Sequence, residues 1–386
     1  MKIHEYQAKQ LLKQYGVPVP QGEVAQTPAQ VREIAQALGR TVVVKGQVHS
    51  GGRGKAGAVK LAKTADDALA AGEAILGKTF FFAQAGSDLT VNGVLVEEAV
   101  DIDKEIYLGI TQDRVRQRDV LILSTQGGMD IEEVAHNNPA DIAKLFIDPL
   151  LGLPDYAARQ VLFDAGFPKT SINKAVPVLK ALYAAYVGTD ATLAEINPLV
   201  ITKDGSIIAG DAKWDIDDNS LFRHADLAAL ADVSDEDPIE TEAHKRGIQY
   251  VRLEGGDIGI IGNGAGLVMT TMDEVQRAGG KPADFLDIGG GAKAEAVTSS
   301  LEVVLSDPNV KGVLFNIFGG ITRGDEVAKG IIEGVKSLDV KVPIVIRLAG
   351  TRAEEGAELL KTTNLIPAAT MQEAAQKIVA LAYAAK

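Results

Sequence analysis

A chain of 386 residues exceeds one typical domain, so two or three are expected, and 46% apolar content is enough to bury real cores. A net charge of −13 argues against non-specific nucleic-acid binding, which needs a basic face to replace counterions. The lack of cysteine excludes disulfides, thiolate zinc sites, iron–sulfur clusters and a cysteine nucleophile. No apolar run approaches a membrane span, and the opening Met-Lys-Ile-His-Glu has neither signal nor transit character, so a cytoplasmic protein without a membrane partner is expected.

Ile3, Tyr6, Leu11, Leu12 and Tyr15 recur at helical spacing before Gly16 and Pro18 stop the pattern. Thr27 as N-cap, Pro28 at the first position and Gly39 beyond the end bracket a second helix. A buried strand follows at 41–45, then a glycine-rich loop to Gly57, a returning strand at 58–61 and a helix at 65–76. Short strands are expected at 94–100, 104–112 and 118–124, helices near 139–146, 155–165 and 171–187, and a strand pair at 192–202 and 206–213. The stretch 232–242 holds six acidic residues and one proline, and it reads as the linker between domains 1–235 and 245–386.

Beyond the linker, strands at 256–261, 283–288, 311–317, 342–348 and 364–368 alternate with helices at 265–278, 293–306, 324–337, 353–362 and 371–384. That alternation predicts a parallel sheet covered on both faces. Five such units resemble a flavodoxin-like doubly wound α/β domain, whose ligands bind beyond the carboxyl ends of the strands.

Chemistry concentrates in a few segments. In 45–57, Lys45 ends a strand, and the next twelve residues hold five glycines together with Arg53 and Lys55. Glycines let backbone amides approach an anion, and the cations stand where a polyphosphate carries charge. No Gly-Lys-Ser/Thr step opens a helix, so this is not the Walker pattern. A mobile surface loop is the alternative; the coincidence of charge and glycine after a buried strand favours phosphate. Around Glu97 the carboxylates sit at a strand end, suited to ribose or an exocyclic amine, although solvated edge charges account for them equally well.

Glu195-Ile-Asn-Pro-Leu and Gly210-Asp-Ala-Lys213 flank a Lys203-Asp204-Gly205 turn. A three-residue loop with Gly205 left-handed sets residue 197 opposite 211 and 195 opposite 213, so Asn197, Asp211 and Glu195 share a face. One carboxylate and one amide oxygen suit magnesium. A two-residue loop would turn Asp211 to the other face, and a plain cross-strand polar pair is an equal reading. In the second half, Gly262-Asn-Gly-Ala-Gly266 and Asn316-Ile-Phe-Gly-Gly-Ile-Thr-Arg323 each link a strand to a helix. The amides of Gly320, Ile321 and Thr322 are expected at a helix start, ready for phosphate or carboxylate, with tight packing turns as the alternative. The first motif lacks full dinucleotide spacing, which argues against a nicotinamide site. His49 lies in the glycine loop and could touch phosphate; the other four histidines read as surface or capping residues.

Taken together, His4-Glu-Tyr-Gln-Ala-Lys9, the 45–57 loop, Glu195-Ile-Asn-Pro-Leu199, Gly262-Asn-Gly-Ala-Gly266, Phe285-Leu-Asp-Ile-Gly-Gly-Gly291 and Asn316-Ile-Phe-Gly-Gly320 closely resemble the beta subunits of succinyl-CoA synthetases, in family order along nearly the whole chain. The resemblance implies an N-terminal ATP-grasp domain and a C-terminal flavodoxin-like CoA-ligase domain. It places nucleotide contacts at Lys45, Gly52, Arg53, Gly54, Glu97, Val100 and Glu105, and one magnesium ion on Asn197 and Asp211. Asn263, Gly320, Ile321 and Thr322 match substrate or phosphate contacts, and Glu195 matches a catalytic carboxylate supporting a phosphohistidine. That histidine and the coenzyme A site belong, in the family, to an alpha-subunit partner. The implied reaction passes a phosphoryl group from nucleotide to histidine to succinate, after which coenzyme A displaces phosphate, reversibly. Malate–CoA ligase large subunits look much the same. Pro20, near the expected base-binding region, favours ADP/ATP over GDP/GTP.

Overall fold

Helix boundaries fall where local hydrogen bonding sets them. The Thr27 hydroxyl accepts from Gln30 N at 3.3 Å while Gln30 Oε1 accepts from Thr27 N at 3.2 Å, and Gly39 at φ +64° closes Pro28–Leu38. Thr64 and Asp67 repeat the exchange at Ala65–Ile75. The computed structural model describes residues 1–232, 237–338 and 340–384. The chain divides into two compact units, Met1–Asp235 and Glu236–Lys386.

The first unit holds two antiparallel sheets that matter here. The larger runs Lys2–Ile3, Lys213–Ile216, Ala191–Thr202, Ile102–Asp113, Arg118–Ser124, Ile142–Ile147, with Ile207–Ala209 also paired to Ala191–Thr202. Helices Glu5–Gln14, Asp155–Asp164 and Ile172–Gly188 cover it around Leu12, Leu162, Leu179 and Trp214. Each such buried side chain contributes about 1.5–3 kcal/mol. The smaller sheet runs Gly22–Ala25, Gly93–Glu98, Val42–Gln47, Val59–Ala62, backed by Pro28–Leu38 and Ala65–Ile75 over Val31, Val44, Ile75 and Val96.

Two expectations need correction here. The segment 139–146 is not a helix: after a short turn at Pro139–Asp141, Ile142–Ile147 is an edge strand paired residue for residue with Ser124 back to Asp119. Five apolar residues among the six of Ile142–Ile147 fit either period, and the open edge of Arg118–Ser124 decides it. The strand expected at 206–213 is two strands, Ile207–Ala209 and Lys213–Ile216, and Asp211 sits in the break between them.

The second unit has one six-stranded sheet in the order Gln249–Arg252, Asp284–Asp287, Ile258–Gly262, Gly312–Gly319, Ile344–Gly350, Ile366–Pro367. Pairings among the last five are parallel, in the doubly wound order in which the second strand lies outside the first, and Gln249–Arg252 adds an antiparallel edge. Helix Pro238–Lys245, capped by Asp237, belongs to this unit and buries Ala243 in its core. Of the acidic stretch read as a linker, 233–236 lie outside the described residues.

Candidate functional site

The 203–205 loop has three residues, with Gly205 at φ +74° and Thr202 N bonded to Ser206 O at 2.9 Å. Leu199 pairs with Ala209 and Glu195 with Lys213, a common register that sets 197 across from 211. Asn197 Oδ1 accepts from Gly128 N at 2.8 Å, and its Nδ2 donates to Met129 O at 2.9 Å. Gly127 N, in the same turn, bonds the carbonyl of Glu105 at 3.1 Å, so the turn ties Asn197 to the exposed Glu105.

The glycine loop reaches this hairpin. Arg53 is buried, and its Nη2 donates to both oxygens of Asp211 at 2.6 and 2.7 Å. Lys45 Nζ donates to Gly210 O at 2.7 Å and lies 2.6 Å from Glu97 Oε1. Gly52, at φ +73°, and Gly54 flank Arg53, where a left-handed turn admits glycine with least strain. Val100 is half-buried just past the end of Gly93–Glu98.

Two residues given no role from sequence complete the network. Glu5 and Lys9 lie one turn apart on Glu5–Gln14, and both are buried. Glu5 Oε1 takes Lys9 at 2.8 Å and Lys45 at 2.9 Å, while Oε2 takes Arg53 Nη1 at 2.6 Å. Lys9 also donates to Glu97 at 2.6 Å and to Gly210 O at 2.9 Å. Burial pushes the Glu5 carboxyl up, but Arg53, Lys45 and Lys9 outweigh it and hold it well below the usual carboxylate range. Burial pulls Lys45 and Arg53 down, and the carboxylates beside them win, so both stay charged. Their signal in sequence is the Glu5–Lys9 pair at helical spacing, on a face that apolar periodicity does not mark as buried.

Glu195 is half-buried, and Tyr107 donates to its Oε2 at 3.0 Å. Burial raises its carboxyl from the ordinary glutamate value, against the pull of Tyr107 and Lys213. His49 packs against His4, ring centroids 4.1 Å apart, and His4 caps Glu5–Gln14 with its N–H bonded to Gln7 Oε1.

In the second unit, the motifs at 262–266 and 316–320 leave adjacent strands at the point where strand order reverses. Asn263 joins them: its Nδ2 donates to Phe318 O at 2.9 Å and Thr322 Oγ1 at 3.2 Å, and its Oδ1 accepts from Phe318 N at 2.9 Å. Thr322 is buried and accepts from Gly291 N at 3.0 Å, whereas Ile321 is 86% exposed. The helix does not start at Gly320. Strand pairing continues through Gly319, and the helix is Gly324–Ser337, so the amides of Gly320, Ile321 and Thr322 lie in the turn before it. A cleft of about 410 Å³ opens beside this turn, lined by Gly291, Lys293, Ile321 and Arg323 among others.

Comparison with known proteins agrees with this architecture. An ATP-grasp domain model matches residues 2–201, and a CoA-ligase model matches 261–383. Solved ATP citrate lyases from Methanosaeta concilii and Methanothrix soehngenii superpose with TM-scores of 0.75 and 0.70. They are 18% and 19% identical, cover 100% and 99% of this chain and 99% and 98% of their own, and speak for the fold alone. An ATP-grasp domain followed by a CoA-ligase domain defines the class, acid–thiol ligase subunits. A succinate–CoA ligase [GDP-forming] subunit beta of Thermus thermophilus is 55% identical over 99% of both chains. The [ADP-forming] subunits beta of Nitratiruptor sp. and Roseiflexus sp. are 48% and 51% identical, over 99% and 98% of each chain. The chain belongs to the succinate–CoA ligase beta-subunit family. Among the described residues no helix is long and apolar enough to cross a membrane.

Proposed function

We propose that this chain is the nucleotide-binding beta subunit of a cytoplasmic succinate–CoA ligase, working with an alpha subunit that carries a phosphohistidine and the coenzyme A site. One observation carries the reading: Arg53 from the glycine loop is bonded to Asp211 of the hairpin, so two segments with phosphate and metal chemistry meet in one place. Succinate is favoured over malate because the full-length relatives above are named for succinate. The working boundary of the first domain stays at 235, and the second, expected from 245, is extended back to take in the helix Pro238–Lys245.

The hairpin donors suit magnesium, which takes one or two protein oxygens and fills its remaining positions with phosphate and water. Asn197 and Asp211 offer one amide oxygen and one carboxylate, and the Arg53 guanidinium bonded to Asp211 supports the reading that this carboxylate faces positive charge. Magnesium held by these two side chains would offset charge on the phosphates. Arg53 and Lys45 would then turn to the polyphosphate, Gly52 and Gly54 would offer amides to it, and Glu97, Val100 and Glu105 would bound the rest of the nucleotide. Glu195, kept less acidic by burial, would orient the partner's imidazole as it receives the phosphoryl group. In the second unit, Asn263 would hold the 318–322 turn in shape, leaving Gly320, Ile321 and Thr322 to meet substrate or phosphate.

ADP/ATP is the assigned nucleotide pair. Pro20 lines a cleft of about 600 Å³ together with Lys9, Gly22, Leu95 and Glu97, and its ring offers no polar contact that would select guanine. The kcat/KM ratio for ATP against GTP checks this, and a ratio below one would reverse it.

The deciding experiment is purification with the alpha subunit followed by transfer of label from γ-labelled ATP. Label should appear on the partner. It should fall about a hundredfold or more in Asn197→Ala and Asp211→Ala complexes that melt like wild type. Label on this chain, or undiminished transfer in both variants, would overturn the proposal.

A further inference from the structure

The cluster holds three cations, Lys9, Lys45 and Arg53, against three carboxylates, Glu5, Glu97 and Asp211. It is therefore electrically balanced, and a polyphosphate meets no spare positive charge unless some ion pairs open. Exposure indicates which ones. Asp211 is 34% exposed, whereas the Glu5 and Glu97 side chains are 1% and 3% exposed. Breaking the Asp211 pair returns one accessible carboxylate towards solvent or a metal ion; breaking a Glu5 pair strips a partner from a fully desolvated carboxylate. The Glu5 side is the fixed end of Arg53, and the Asp211 side is the end that exchanges.

Resting on the nucleotide site proposed above, we infer that Glu5 is a positioning residue. It anchors Lys45 through Oε1 and Arg53 through Oε2, so that both cations face the phosphates in a set geometry once Asp211 is released to metal. Two further contacts make Glu5 a rigid anchor. Lys9 fills the remaining capacity of Oε1 at 2.8 Å, and Gln47 Nε2 approaches Oε2 at 3.4 Å. Glu5 is also the first residue of its helix, directly after the His4 cap, so its backbone is held as well as its carboxylate.

This role separates from simple charge balancing by sign. Removing an anion from the cluster should strengthen polyphosphate binding if Glu5 were only a counter-charge; it should weaken binding if Glu5 sets geometry. Glu5→Gln keeps the shape and removes the charge, and Glu5→Asp keeps the charge and withdraws the carboxylate by one methylene. In calorimetric titration of the full-length chain with MgADP, both variants should bind about tenfold more weakly than wild type. In the ligand-free wild type, the Arg53 guanidinium protons should exchange slowly with solvent by NMR, and Glu5→Asp should speed that exchange. Glu5→Asp binding like wild type, or Glu5→Gln binding more tightly, overturns the inference. So does fast Arg53 exchange in the wild type, a measurement that stands even if neither variant folds. Failure of the wild-type chain to bind MgADP would instead count against the nucleotide site itself.

Discussion

Two buried carboxylates in this molecule respond to pH in opposite ways. Glu5, surrounded by three cations, has a depressed folded pKa, so its stabilisation is present above the unfolded value of about 4.3 and is lost as acid protonates it. Asp284 in the second unit is the reverse. Burial pushes its carboxyl well above the usual range, the Ile260 N–H bonded to Oδ1 at 3.1 Å pulls it back, and Asp307 adds to the push. Its Oδ2 and the Tyr250 hydroxyl are buried without a partner among the described residues. The fold therefore keeps a proton on Asp284 that the unfolded chain releases above about pH 3.9, and stability declines as pH rises from there towards the folded pKa. An asparagine at this position would be neutral at every pH, so Asp284→Asn should raise the melting midpoint at pH 7, with the gain shrinking towards pH 4. Equal midpoints at both pH values would show that Asp284 stays charged. The same scale explains what the sequence disclosed of the site. Lys45, Arg53 and Asp211 stand beside glycines and turns, where charge has few structural uses, and the structure joins them in one network. Glu5 and Lys9 lie inside a helix whose apolar residues gave no hint that its charged face is buried, so their part was hidden.

At the scale of elements, caps and turns were legible because their chemistry is local. The hairpin register was legible only once the loop length was set: of the two lengths the sequence allowed, the structure has three residues with Gly205 left-handed. Ile142–Ile147 and Gln249–Arg252 were not legible, because an edge strand is defined by the neighbour it pairs with rather than by its own pattern. The helix Gly324–Ser337 falls where its spacing predicts, but the amides of Gly320, Ile321 and Thr322, expected at its start, lie before it for a related reason. The extension of the preceding strand through Gly319 is fixed by Gly350 and Thr351, thirty residues further along. The hairpin offers a direct test of how much one turn controls. A side chain at Gly205 must adopt φ +74°, and its Cβ would lie 3.4 Å from Lys174 Nζ. Gly205→Ala should therefore cost about 1 kcal/mol by denaturant titration. It should also weaken MgADP binding, because Asn197 and Asp211 depend on the register that this turn sets. A stability loss with unchanged affinity would show that the strands hold register without the turn.

For the whole molecule, the change of texture in the sequence separated the two plans. The mixed, strand-rich half forms antiparallel sheets, and the alternating half forms the parallel sheet. Function should divide the same way, and hydrogen exchange can read the division. A ligand that binds only the native first unit stabilises it by about 2.7 kcal/mol at a hundred times its Kd. Amides that exchange through opening of that unit should then slow by roughly a hundredfold. With saturating MgADP, protection should rise in 42–57, 93–98 and 195–213, the segments carrying Lys45, Arg53, Glu97, Asn197 and Asp211. Segments 258–266 and 312–322 should change little, because the nucleotide is assigned to the first unit and these turns to substrate or phosphate. Magnesium alone should protect 195–213 weakly, since it must displace Arg53 from Asp211 without a phosphate to receive the guanidinium. Equal protection across both sets of segments would place the nucleotide on the second unit as well. Full protection of the hairpin by magnesium alone would mean that metal and phosphate do not depend on one another.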